Sequence, residues 1–121
     1  MHPFGLAMAG HDVETAVTLL AADVEFRSPV VFKPYRGRDA VGPLLDAVAD
    51  VLRDFRYTRE IDTPDGADLA LVFRARAGGK QVEGCDFLHL DDSGLIDELM
   101  VMIRPMSGVH ALAEAMKERL R

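Results

Sequence analysis

The chain has 121 residues and a formal net charge of −6, with 49% hydrophobic and 28% charged residues. This composition is typical of one soluble globular domain spanning residues 1–121, and it excludes a disordered polypeptide. The acidic balance argues against nucleic acid or an anionic membrane as a partner, because either would require a basic face.

Helical periodicity dominates the first fifty residues. Residues 3–22 are predicted to be helical with a break at Gly10, after which Asp12 is well placed as an N-cap. Residues 24–29 alternate between apolar and polar side chains, as a half-buried strand does. Residues 38–53 form the clearest helix, because apolar residues recur at the i, i+3, i+4 and i+7 positions of one face.

The second half of the chain changes to a period of two, which predicts strands. Gly78 and Gly79 are a strong hairpin signal, since primed turns need positive φ at both positions. A last helix follows Ser107 or Gly108, either of which could cap it. The predicted order is α+β rather than βαβ. It consists of helices, a strand, a helix, a meander and a final helix. The four predicted strands are residues 55–61, 67–77, 80–90 and 95–104.

The cellular location of the chain is inferred from three features. Cys85 is the only cysteine, so no internal disulfide can form and a reducing compartment is expected. No apolar run approaches the roughly 20 residues of a membrane span. The first residues, Met1 to Gly5, lack the basic region and long apolar stretch of a signal peptide. We therefore expect a cytoplasmic protein, and neither a metal site nor a cofactor is predicted.

Four short segments, in this order, resemble the SnoaL-like branch of the nuclear transport factor 2-like superfamily. They are residues 10–14 (Gly-His-Asp-Val-Glu), 20–26, 35–41 (Tyr-Arg-Gly-Arg-Asp-Ala-Val) and 85–96. The resemblance implies a curved antiparallel sheet wrapped around helices, forming a cone-shaped α+β barrel with an internal pocket. Members include polyketide cyclases, ketosteroid isomerases, dehydratases, hydrolases and plain binding or assembly domains, so the fold alone fixes little about function.

The ketosteroid isomerase pattern is the family chemistry that these residues can be compared with. It uses an aspartate base before a proline on the first strand, with a tyrosine and a protonated aspartic acid as the oxyanion hole. Here Ser28 precedes Pro29, Phe4 stands at the tyrosine position, and only Asp86 matches. A neutral serine without a partner base cannot abstract a carbon-bound proton at useful rates, so ketosteroid isomerase activity is not expected.

Asp86 is the candidate catalytic residue, as an acid or hydrogen-bond donor. It shares the more apolar face of its strand with Val82, Gly84 and Leu88, so its carboxyl group is either desolvated or held by hydrogen bonds and a cation. A purely structural alternative remains, in which the carboxylate is half-exposed or paired with an arginine.

Tyr57 and Ser28 could supply hydroxyl groups beside Asp86. Tyr57 is assigned to the same face as Phe55 and Ile61, although a core aromatic with a solvated tip is the preferred interpretation. Ser28 could instead end its strand with its hydroxyl bound to backbone. The residues predicted to line the pocket are Phe4, Phe26, Ser28, Tyr57, Phe73, Leu88, Leu99, Val101 and Ile103.

Both faces of the last strand are apolar, so both must be covered. Either the C-terminal helix folds back over the outer face or a second copy covers it, and family habit favours a homodimer. We also expect the C-terminal helix to close the cone. His89 and Cys85 should face outward, away from the pocket. The inner face is assigned to Leu95, Leu99, Val101 and Ile103, and the outer face to Ile96, Met100 and Met102.

Two functions are consistent with these features. The first is a protein that binds a small apolar molecule, such as a polyketide-like or cyclic carbonyl compound, and acts as an isomerase, cyclase or dehydratase if it is an enzyme. The second is a non-catalytic dimerisation or protein-interaction domain whose cone is filled by side chains. An open pocket of a few hundred Å³ favours the first, and interior packing density favours the second.

Overall fold

The computed structural model describes residues 1–121 and contains four helices and one six-stranded sheet. This arrangement confirms the predicted α+β class. In chain order the elements are α1 (Pro3–Ala9), α2 (Val13–Thr18), β1 (Leu20–Arg27), β2 (Tyr35–Arg36), α3 (Arg38–Val51), β3 (Leu52–Asp62), β4 (Asp68–Ala77), β5 (Lys80–Leu90), β6 (Ile96–Arg104) and α4 (Met106–Arg119).

The sheet has the strand order β2-β1-β6-β5-β4-β3. Strands β3 to β6 form the predicted antiparallel meander, β1 runs parallel to β6, and β2 pairs antiparallel with β1. Because β2 and β3 are free edges, the sheet is open and does not close into a barrel.

All four helices pack on one face of this sheet, which we call the inner face. The larger core cluster joins α1, α2 and α3 to the sheet around Phe4, Val41 and Leu99. A second cluster places Leu112 of α4 against Val82 and neighbouring inner-face residues. Helix α4 therefore covers the inner face, and it does not fold back over the outer one.

Local sequence signals explain several element boundaries. The Asp12 carboxylate accepts a hydrogen bond from the Thr15 backbone N–H at 3.2 Å, as an N-cap does. Gly78 and Gly79 have φ values of 54° and 86°, which confirms the predicted primed turn between β4 and β5. The predicted cap of α4 is wrong, because its N-cap is Pro105, whose carbonyl accepts the first helical hydrogen bonds.

Two strands begin earlier than their sequences predict. Leu20 is the first residue of β1 and pairs with Ile96, although residues 3–22 are rich in helix-forming residues. Leu52 likewise begins β3 opposite Ala77, which ends α3 two residues before the predicted position. In both cases pairing and burial within the sheet outweigh local helix propensity.

Two β-bulges reverse the predicted orientation of isoleucines. In β6, His89 pairs with Glu98 but Leu90 pairs with Ile96, so Asp97 is an extra residue and Ile96 is buried on the inner face rather than the outer one.

In β3, Tyr57 pairs with Phe73 and Arg59 with Val72, so Thr58 is the extra residue. Ile61 consequently leaves the Tyr57 face and is 52% exposed. A shift of one residue moves every following side chain to the other face.

Candidate active site

Asp86 lies in the middle of β5 on the inner face, with Leu71 opposite it in β4 and Val101 opposite it in β6. Its side chain is only 7% exposed, and it is the one charged residue among the buried residues of the chain. The Tyr57 hydroxyl donates a hydrogen bond to Asp86 Oδ2 at 2.7 Å. No arginine forms an ion pair with the Asp86 carboxyl group. Of the two states that the sequence allows, the structure therefore has the desolvated carboxyl group.

The electrostatics of this pair follow from burial. Burial raises the pKa of Asp86 to about 7, because the charged form loses its hydration, and the Tyr57 hydrogen bond opposes part of that rise. Burial and the neighbouring carboxylate together raise the pKa of Tyr57 well above its usual value. Tyr57 therefore remains a donor at neutral pH, while Asp86 exchanges a proton near neutrality.

A cluster of aromatic rings holds Tyr57 in place. The rings of Phe55 and Tyr57 meet edge to face with centroids 4.9 Å apart, and Phe55 stacks on Phe73 at 4.8 Å. Gly84 makes this arrangement possible, since a β-carbon at that position would collide with the Phe73 ring. The glycine two residues before Asp86 thus lets the aromatic cluster lie directly on β5.

A small cavity of about 50 Å³ lies beside Asp86, and this carboxyl group is the only titratable group in its wall. It is far smaller than the pocket of a few hundred Å³ that typically encloses a small ligand. Six of the predicted pocket residues line it: Phe4, Phe26, Phe73, Leu99, Val101 and Ile103.

Three of the predicted pocket residues do not line this cavity. Tyr57 reaches it only through Asp86, and Leu88 is packed in the larger core cluster. The Ser28 hydroxyl accepts hydrogen bonds from the backbone N–H groups of Val30 and Val31 at 3.2 and 3.0 Å, so it terminates β1. Ser28 is thus not brought to the side of Asp86.

The rest of the cavity wall comes largely from helices, which the sequence reasoning did not assign to the pocket. Leu45 and Val48 belong to the predicted apolar stripe of α3. That stripe is the one sequence feature that could have assigned them to the cavity wall. The periodicity of a helix shows which side is buried but not which strand it faces. The unpredicted residues of the wall are Met8, Pro29, Leu45, Val48, Leu52, Phe55 and Leu112.

The remaining chemically reactive side chains lie outside this site. His89 is exposed and its Nδ1 lies 2.6 Å from Asp97 Oδ1, which raises the pKa of the imidazole. Cys85 is partly exposed, and desolvation raises the pKa of its thiol. No group of three or more His, Cys, Asp or Glu side chains is arranged to hold a metal ion. No helix is long and apolar enough to cross a membrane.

Solved structures with this architecture include two with substantial sequence identity. A steroid delta-isomerase from Pseudomonas aeruginosa is 41% identical, with a TM-score of 0.90 over 94% of this chain and 83% of that one. An uncharacterised cystatin-like-fold protein from Silicibacter pomeroyi is 36% identical, with a TM-score of 0.92 over 99% and 86% of the two chains.

More distant proteins share the fold alone. The Mycobacterium tuberculosis protein RV0760c, solved with estradiol-17beta-hemisuccinate, is 20% identical, with a TM-score of 0.66 over 84% of this chain and 92% of that one.

No curated protein sequence matches this chain significantly. A SnoaL-like domain model matches residues 4–99. The chain therefore belongs to the SnoaL-like family, within the nuclear transport factor 2-like superfamily whose cone fold it shares.

Proposed function

We propose that this protein binds a small, largely apolar carbonyl compound whose oxygen accepts a hydrogen bond from protonated Asp86. The observation that carries the proposal is the buried Asp86 carboxyl group, which lines an otherwise apolar cavity and has one oxygen occupied by Tyr57 at 2.7 Å. Protonated on its other oxygen, Asp86 can donate into the cavity. The family membership and the 41% identical steroid delta-isomerase support a small apolar ligand.

The site offers one general acid, Asp86, and no side chain that could act as a general base. A donor at the carbonyl oxygen stabilises negative charge as it develops there, which suits isomerase, cyclase or dehydratase-type reactions. No second titratable residue lines the cavity, and the Ser28 hydroxyl is engaged with backbone. We therefore propose that any turnover relies on a base from the substrate or from water. Steroid isomerisation is not expected, since it requires removal of a carbon-bound proton.

The proposal is tested with acetophenone that carries ¹³C at its carbonyl carbon. Hydrogen bonding to the oxygen should move the carbonyl resonance downfield when wild-type protein is added, and the effect should weaken above about pH 7 as Asp86 loses its proton. Asp86→Asn retains an N–H donor and should keep a pH-independent shift, whereas Asp86→Leu should abolish the shift. An unchanged downfield shift in Asp86→Leu would show that Asp86 is not the donor.

Turnover is tested separately with a β,γ-unsaturated steroid ketone, whose conversion to the conjugated isomer is followed by ultraviolet absorbance. We expect no rate above that of buffer. Catalysis that disappears in Asp86→Leu would instead assign steroid isomerase activity to this site.

A second candidate, a non-catalytic dimerisation domain, is favoured by the small cavity and by the outer face of the sheet. At about 50 Å³ the interior is nearly filled. On the outer face Phe87 and Met102 are 38% and 53% exposed, and Cys85 lies between Met102 and Val72 in the register of the sheet.

Arg74 and Arg104 flank Glu83 at one end of this face, and Asp68 and Glu98 flank His89 at the other. The first end has a net positive charge and the second a net negative one, so two copies packed with their strands reversed are complementary.

We propose this homodimer alongside the ligand site, because the two use opposite faces of the sheet. Light scattering should give twice the mass of the 13.3 kDa chain at micromolar concentration. Met102→Arg in the apolar centre should give the mass of a single chain, whereas Lys117→Ala in α4 should leave the dimer intact. A wild-type monomer under these conditions would remove the proposal.

A further inference from the structure

A groove of about 420 Å³ lies directly outside the Asp86 cavity. Four apolar residues line both spaces and so form the wall between them: Met8, Val48, Leu52 and Phe55. Met8 is unbranched and flexible, which makes it the easiest of these side chains to displace. A ligand lying in the groove therefore has a short route to Asp86.

The size of the two spaces determines how such a ligand would be distributed. The cavity has room for one or two groups the size of a water molecule, which occupies roughly 30 Å³ in the liquid. The groove is about eight times larger and is open to solvent. Only the tip of a small molecule fits beside Asp86 without rearrangement, and its remainder must lie in the groove.

The groove is lined by two arginines, Arg53 and Arg76, and by two carboxylates that are already paired, Asp54 with Arg76 and Asp50 with Arg119. Arg53 in β3 and Arg76 in β4 stand directly opposite each other, and like charges in this position destabilise a sheet. Arg76 forms an ion pair with Asp54 at 2.8 Å, whereas Arg53 forms no ion pair and no side-chain hydrogen bond. A guanidinium group without a partner beside a second arginine is suited to bind a carboxylate.

The backbone around the same groove is irregular on both sides. His11 and Asp54 have φ values of 58° and 53°, and they are the only residues other than glycine with positive φ. Asp54 lies in a bulge between Arg53 and Arg56, and this bulge sets the direction of the flanking arginine side chains. Bulges and left-handed residues concentrate next to binding sites, so the irregularity supports a ligand here.

We infer that the groove binds the carboxylate end of an amphipathic keto acid whose carbonyl tip enters the cavity at Asp86. This inference rests on the proposed function and names its ligand class. Arg53 provides the free guanidinium group, and Arg76 adds a second when the ligand replaces Asp54. The chain as a whole carries a net charge of −6, so an anion held here is attracted by these local arginines and not by the overall charge.

The test compares 4-acetylbenzoate with its methyl ester, which keeps the ketone and removes the negative charge. Dissociation constants are measured by titrating the ¹⁵N-labelled protein and following its amide resonances. We expect the acid to bind about 10-fold more tightly than the ester, since one charge-assisted contact is worth roughly a factor of ten. Arg53→Gln combined with Arg76→Gln should reduce this preference to less than about 2-fold.

Arg59→Gln is the matched control, because it removes the same charge from the same strand outside the groove. It should leave the preference unchanged, and circular dichroism should show that all variants remain folded. Equal affinities for acid and ester in the wild type would overturn the inference, as would a preference that persists in the double arginine variant or binding of neither compound at millimolar concentration.

The Asp86→Leu variant separates failure of this inference from failure of the proposed function. If it binds both compounds weakly while the arginine variants bind normally, the Asp86 site stands and the carboxylate site does not. If it binds both normally while the arginine variants lose the preference, the carboxylate site stands and the role of Asp86 is wrong.

Discussion

The two faces of the sheet are built from the same strands but differ in how far they are buried. On the inner face of β4, Leu71 and Phe73 are almost fully buried by the helices. On the outer face of the same strand, Val72 is only partly buried and Arg74 is exposed. Alternation along one strand thus separates a face that the chain covers by itself from a face that it leaves open.

This difference shows where each kind of interaction matters. A charge on the inner face must be nearly desolvated, as Asp86 is, and its pKa rises in consequence. Charges on the outer face, such as Glu83 between Arg74 and Arg104, remain hydrated and contribute little. We therefore expect equivalent substitutions on the two faces to change the free energy of unfolding by different amounts. The following predictions test that expectation.

The largest expected difference is between two phenylalanines on opposite faces. Phe73→Ala removes a ring that is 1% exposed and stacked on Phe55, so it should lower the free energy of unfolding by about 3–5 kcal/mol. Phe87→Ala, at a site that is 38% exposed, should lower it by less than about 1 kcal/mol. Urea denaturation at a protein concentration where light scattering shows a single chain measures both, and similar losses there would contradict the exposure of Phe87.

The next effect is a pH dependence that arises from Asp86. Its pKa rises from 3.8 to about 7 on folding, so between these values the unfolded chain has lost the proton that the folded chain still holds. Raising the pH through this range therefore favours unfolding, and the free energy of unfolding should fall by up to roughly 4 kcal/mol. Asp86→Asn has no proton to lose and should lack this slope. A wild-type profile parallel to that of the variant would contradict a raised pKa.

Tyr57→Phe should have an intermediate effect, because it deletes the one donor to a buried carboxyl group. Above pH 7 the loss should be about 1–3 kcal/mol, as the ionised oxygen is left unpaired. The hydrogen bond from Tyr57 holds the pKa of Asp86 down, so the variant should also shift the pH transition upward. Denaturation profiles from pH 4 to pH 9 measure both changes, and a downward shift would show that Tyr57 does not donate to Asp86.

The smallest effect is expected for Glu83→Gln on the outer face. It breaks ion pairs with Arg74 at 3.1 Å and Arg104 at 2.6 Å, but all three side chains are substantially exposed. The free energy of unfolding should change by less than about 1 kcal/mol, and 1 M salt should reduce the difference further. In the monomeric chain, a loss as large as that of Phe73→Ala would contradict the hydration of these charges.

The sequence predicts much of the cavity wall, because parity along a regular strand is reliable. Alternation assigns Asp86 and Val101 to the inner face, Phe73 is among the predicted pocket residues, and all three line one cavity. The assignments of Ile61 and Ile96 were wrong because each follows or precedes a bulge. A bulge changes the parity of a strand without a residue type that marks it reliably, so only the paired register reveals it.

The sequence by itself determined the α+β order, the Gly78–Gly79 turn and the apolar surroundings of Asp86, because these depend on periodicity and local backbone preference. The tertiary structure alone decided that Tyr57 reaches Asp86, that the cavity is small, and that Met8 and Phe55 separate it from the arginine-lined groove. The physical reason is that Tyr57 and Asp86 are 29 residues apart in the chain. Their contact depends on strand register and on how closely the helices pack against the sheet, which no local pattern encodes.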